Sequence, residues 1–176
     1  MKPMNLIFIH GPAAAGKYTI GKILSEETGI PLFHNHLVVD VAMSLFNFGE
    51  DGFNAIRATA WRVCIEEAAK AHKSLIFTFN PEATVEPSLI QDLLETYSSN
   101  GGVVTIVELK CSDDVIRERI GNESRQKFGK LTDASAFTAI KQQGGFDFPK
   151  LAKAAVTIDT EHHTPHEAAR LIGEAL

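Results

Sequence analysis

A chain of 176 residues is long enough to bury a core of its own as one domain, and a 44% hydrophobic, 22% charged composition is that of a globular protein. The formal net charge of −5 argues against a general nucleic-acid binder, whose footprint is basic, while leaving room for a local cationic pocket. The first apolar run, LIFIH, is too short for a signal-peptide core or a membrane span, and Cys64 and Cys111, far apart and without metal-site spacing, read as reduced thiols of a cytoplasmic protein.

Short apolar runs alternate with longer stretches of helical period. LIFIH (6–10) predicts a buried strand, and residues 17–28 predict an amphipathic helix stopped at Gly29. A short strand is expected over 30–33, with a helix from Leu37. Residues 51–72 carry Ile56, Ala60, Cys64 and Ala68 at helical spacing; SLIFTF (74–79) reads as the third strand, and a helix follows over about 84–97. The fourth strand is VVTIVEL (103–109), after which Ser112 caps a helix with Asp113 and Asp114 in its first turn, where the dipole favours negative charge. VTID (156–159) is the fifth strand. Thr164-Pro165-His166-Glu167 reads as a capping box with proline at the first helical position. Strands alternating with helices imply right-handed crossovers and a mostly parallel sheet covered on both faces, hence one three-layer α/β/α domain over 1–176.

Between the first strand and the first helix lies GPAAAGKYT (11–19), which fits GxxxxGK. The chemistry needs this context: small residues let backbone N–H groups turn inward around an anion, the helix start adds its positive end, and the lysine reaches the outer phosphates. Gly11, Ala13, Ala14, Ala15, Gly16 and Lys17 are therefore the expected nucleotide cradle. Tyr18 stands where a magnesium-holding Ser or Thr is usual. The loop resembles that of adenylate kinases, GxPGxGKGT, which also place their Thr one residue later; Thr19 matches that position. The resemblance implies a Mg²⁺ ion met largely through water and nucleotide oxygens, with Thr19 assisting indirectly and Tyr18 and Thr19 beside the phosphates. No aspartate ends the third strand; SLIFTF runs into Asn80-Pro81-Glu82, which sets the chain apart from motor and transporter ATPases.

More widely the chain resembles the nucleoside-monophosphate-kinase and shikimate-kinase group, to which chloramphenicol phosphotransferase belongs, and so implies a P-loop NTPase domain with five parallel strands. In shikimate- and gluconate-kinase-like proteins the second strand leads into Asp-x-Asp. Here it leads into Phe33-His34-Asn35-His36. Either His34 and His36 meet an acceptor hydroxyl, for which the ordinary histidine pKa is suited, or they are polar residues at a helix start. Asp40 could supply the missing carboxylate or be a solvated acid. Arg57 is a candidate clamp for the acceptor, with solvation of a helix arginine as the alternative. The basic stretch after the fourth strand, about 119–130, occupies the place of the group's lid. Arg119 and Arg125 are its expected phosphate-facing cations, Lys127 and Lys130 weaker ones, and Arg117 a neighbour of the adenine. His162, His163 and His166 lack a metal-site pattern and read as solvated.

These features predict an ATP-dependent kinase that joins nucleotide and small-molecule acceptor, with no membrane or nucleic-acid partner. The rivals are a nucleotide-binding regulatory module and a slow ATP hydrolase.

Overall fold

The computed structural model describes residues 4–121 and 131–176. In chain order it contains β1 (Asn5–His10), α1 (Lys17–Thr28), β2 (Leu32–His34), α2 (His36–Met43), α3 (Asp51–Lys70), β3 (Leu75–Phe79), α4 (Pro87–Ser99), β4 (Val103–Lys110), α5 (Asp113–Ile120), α6 (Ala134–Gln142), β5 (Val156–Asp159) and α7 (Pro165–Gly173). The five strands form one sheet in the order β2-β3-β1-β4-β5, and every pairing is parallel. It is the α/β/α arrangement that the alternating pattern predicts.

β1 is apolar without alternation because both of its faces are covered. Leu6 and Phe8 join Trp61, Phe77, Phe79, Leu89 and Tyr97 in the core under α3 and α4. Ile7 and Ile9 face the other way, into a core with Ile20 and Leu24 of α1 and Ala168, Ala169 and Ile172 of α7. The central strand is thus gripped from both sides, which makes its carboxyl end, where the glycine-rich loop begins, a firm platform.

The cap signals are met. Gly29 takes φ 74° and its N–H reaches Ser25 O at 2.9 Å. Thr164 and Glu167 form the reciprocal box at the start of α7. Beyond shifts of a residue or two, the departures from expectation have identifiable reasons. β2 begins at Leu32, because Pro31 has no N–H to pair and only its carbonyl accepts, from Ile76 N at 2.9 Å. α4 begins at Pro87, the residue that suits the first helical position, and not near 84. α6 has no counterpart in the elements read from sequence. Asp133 Oδ1 caps it by accepting from Ala136 N at 2.8 Å, and Phe137 anchors it against Ile116 and Ile120. No described helix is long and apolar enough to cross a membrane.

Candidate active site

The glycine-rich loop leaves β1 and turns through two left-handed residues, Ala14 (φ 59°) and Gly16 (φ 91°), before α1 starts at Lys17. Alternating handedness of this kind points consecutive N–H groups into one concavity, the geometry of an anion nest. Lys17 Nζ lies across the loop, donating to Gly11 O at 2.7 Å and Pro12 O at 2.6 Å, with Asn80 Oδ1 at 3.3 Å. The ammonium is therefore held at the junction of loop and β3, where the outer phosphates of a nucleotide would lie. Gly11 is packed so closely against β4 that a Cβ there would sit 2.5 Å from the Leu109 carbonyl oxygen. Gly11→Ala is expected to displace the loop from β4, costing about 1–3 kcal/mol of stability and weakening nucleotide binding at least tenfold. Chemical denaturation and titration with a fluorescent ATP analogue check the two effects.

A cavity of about 970 Å³ opens over this loop. Residues 13–19, His36 and Arg119 line it together, so the structure gathers most of the residues singled out from sequence. Tyr18 does not plug the loop: its ring stands edge-on to His34, 4.8 Å between centroids and 78° between planes. His34 itself is buried at the end of β2, behind Tyr18, and does not line the cavity, whereas His36, in the first turn of α2, does. Thr19 is exposed at the cavity wall. A smaller cavity of about 650 Å³ takes in Gly11 and His10 beside the loop; among the described residues only Ala13 and Phe146 border both. Burial holds the His10 imidazole below its ordinary pKa.

Three residues of the sequence reading stand elsewhere. Asp40 is exposed and outside the cavity, since Val39 and Met43 take that face of α2. Arg117 is tied on the surface to Asp114 at 2.9 Å and does not reach the cavity. Arg57 is almost fully buried and faces Glu82. Its Nη1 donates to Glu82 Oε1, and its Nη2 donates to Asn54 Oδ1 at 3.0 Å and Thr84 O at 2.8 Å. Phe53 and Trp61 stack on the guanidinium at 5.1 and 5.4 Å. The arginine is thus a support for the segment after β3, and Glu82, not Arg57, meets the cavity. Burial pushes the Glu82 carboxyl above its ordinary value, against the pull of Arg57, and pushes the Arg57 guanidinium down.

Arg119 also differs from expectation. At the end of α5 it donates to Thr160 Oγ1 at 2.9 Å and Thr160 O at 2.7 Å, while Thr160 Oγ1 donates to Lys110 O at 3.2 Å. It is a fixed wall beside the end of β5, next to His163, whose Nδ1 is 2.9 Å from Asp159 O. Arg125, Lys127 and Lys130 lie outside the described residues. The opposite wall is built by Asn35 and His36 with Asn80, Glu82 and Thr84, and by apolar Val39, Met43 and Phe48. Of these, Asn80 and Glu82 are legible as residues after an apolar strand, where a parallel sheet places its crevice. Asn35, Thr84 and Phe48 carry no comparable signal.

No family model matches the chain. It is 26% identical over 179 residues to the shikimate kinase of Thermobifida fusca (strain YX), an alignment covering 100% of this chain and 97% of that protein. Among solved structures, APS kinase of Mycobacterium tuberculosis, in complex with AMPPNP and APS, superposes with a TM-score of 0.66 at 13% identity, covering 98% of this chain and 97% of that one. A gluconokinase of Sinorhizobium meliloti 1021 superposes with a TM-score of 0.64 at 16% identity, covering 98% and 91%. Likeness to one kinase along the whole sequence, and a fold shared with two others, make the chain similar to the P-loop small-molecule kinases and support an ATP-dependent kinase.

Proposed function

We propose that the protein moves the γ-phosphoryl group of ATP to a hydroxyl of a small acceptor seated between α2 and the segment after β3. The observation that carries this reading is that one cavity joins the nucleotide loop to Asn35, His36 and Glu82. Loop amides and Lys17 hold the β- and γ-phosphates, and Arg119, Thr160 and His163 border the nucleotide's far end. The acceptor oxygen forms a bond to the γ-phosphorus as the bond from that phosphorus to the β–γ bridging oxygen breaks. The acceptor's proton passes to His36, and ADP leaves. Among the described residues there is no group of three His, Cys, Asp or Glu side chains able to hold a metal. Thr19 would stand nearest a Mg²⁺ ion that arrives with the nucleotide, and such an ion would neutralise charge on the triphosphate.

ADP formation that depends on an added acceptor, with the phosphorylated acceptor seen by ³¹P NMR, tests the proposal; phosphate released at the same rate without any acceptor would identify a hydrolase instead. His36→Ala is expected to lower kcat about a hundredfold, the usual scale for losing a general base, while the KM for ATP stays within about twofold. Steady-state kinetics in both substrates check it. An equal loss in ATP affinity would move His36 from the acceptor to the nucleotide.

A further inference from the structure

The acceptor half of the cavity has an unusual charge balance for an enzyme that resembles carboxylate-binding kinases. Among the described residues the carboxylates lining the cavity are Glu82 and Asp133, and the Glu82 charge is met by Arg57, which turns its donors to Glu82, Asn54 and Thr84 and does not line the cavity. The described cations that do line the cavity are Lys17, at the phosphate loop, and Arg119, bonded to Thr160. A carboxylate or phosphate on the acceptor would lose its water beside Glu82 and gain no described cation in exchange, which disfavours a buried ion.

Two further observations say what this half would accept. Asn35 lines this half, and its buried Oδ1 has no hydrogen-bond partner among the described residues, an acceptor oxygen that calls for a donor such as a hydroxyl. Val39, Met43 and Phe48 form an apolar stretch of the same wall. Met43 is 43% and Phe48 52% exposed, the two exposed large hydrophobics among the described residues that line the cavity. That concentration of wetted apolar surface is relieved by an apolar ligand at the cavity mouth.

We infer that the acceptor is an uncharged, hydroxyl-bearing molecule with an apolar portion, its hydroxyl side toward Asn35 and Glu82 and its apolar side against Met43 and Phe48. The inference rests on the kinase reading above for what happens to the hydroxyl, and on the cavity alone for what binds.

The test uses paired probes that differ in one charge: hexyl β-D-glucoside against hexyl β-D-glucuronide, and methyl shikimate against shikimate. Each is titrated calorimetrically into the full chain saturated with AMP-PNP. The neutral member of a pair is expected to bind at least tenfold tighter than the acid. Met43→Glu, at an exposed position that the fold tolerates, should remove at least tenfold of that neutral binding. Glu82→Gln, which leaves the Arg57 charge uncancelled, should narrow the gap by strengthening the acid. Acids that bind as tightly as their neutral partners, or failure of both neutral probes to bind, would overturn the inference. Repeating the titrations as assays with ATP separates the two readings. Neutral binding with no ADP formed supports the acceptor class while removing the kinase proposal. Preferred phosphorylation of an acid supports the kinase proposal and removes the acceptor class.

Discussion

Lys17→Ala should lower kcat/KM for ATP about a thousandfold, the upper end of what one preorganised cationic or hydrogen-bond donor contributes to a transition state. The ammonium spans Gly11 O, Pro12 O and Asn80 Oδ1, so it stands between the loop and the end of β3 and not out in solvent. Negative charge that develops on the transferring group meets a fixed cation there, with little reorganisation needed. Lys17→Arg should not restore the rate, because a planar fork cannot reproduce the short contacts of a compact ammonium with two neighbouring carbonyls. Steady-state turnover and binding of a fluorescent ATP analogue check both variants, with circular dichroism confirming that the sheet is intact. An unchanged rate in Lys17→Ala would remove the loop from the chemistry altogether.

The largest stability effect is expected from Arg57→Met, which leaves the Glu82 carboxylate buried without its partner. Breaking one side of a buried ion pair costs about 3–5 kcal/mol, and in a chain of this size such a loss lowers Tm by roughly 10 °C. The double variant Arg57→Met with Glu82→Met should recover much of it, since two apolar side chains of similar length remove the uncompensated charge. The pH dependence has a definite sign. Burial already holds Glu82 above its ordinary pKa in the presence of the arginine. Without the guanidinium the folded value rises further, so the folded variant takes up a proton at a pH where the unfolded chain has not. The deficit relative to wild type should be full above the variant's folded pKa, shrink as the pH falls through it, and stop shrinking at the wild-type pKa of Glu82, which itself lies above the ordinary glutamate value. Urea unfolding of variant and wild type across that range measures it. A deficit that grows on acidification would mean that Glu82 is not buried as a charge.

The glycine-rich loop and its place between strand and helix are readable from sequence because their determinants are local. GPAAAGKYT sits between an apolar run and a helical pattern, and strand, loop and helix follow each other in the chain as they do in space. The edges of α1 and β5 and the box at Thr164 are legible for the same reason, since caps and short strands are written within a few residues. The proposed acceptor half is different. Arg57 is visible as an arginine on a helix, but nothing in the sequence says that α3 packs so as to bring it to Glu82, 25 residues on. The two histidines of FHNH are equivalent on paper. The chain passes from β2 into α2 between them, and that change of direction buries His34 behind Tyr18 while leaving His36 on the cavity wall. α6 escapes notice because its start signal, Asp133, precedes a stretch of small residues whose only strong apolar anchor is Phe137.

In the proposed reaction the two substrates are served by strands of very different security. β1 lies in the middle of the sheet and is paired along all six of its residues with β4. β2 is an outermost ribbon of three residues, joined to the rest through β3 alone. The half that grips phosphate is therefore moored in the most cooperative part of the molecule, whereas the half that chooses the recipient hangs from its margin. Insertions or replacements around residues 35–48 can remould the recipient's berth at little energetic penalty to the body of the protein, so selectivity here is separable from phosphate chemistry.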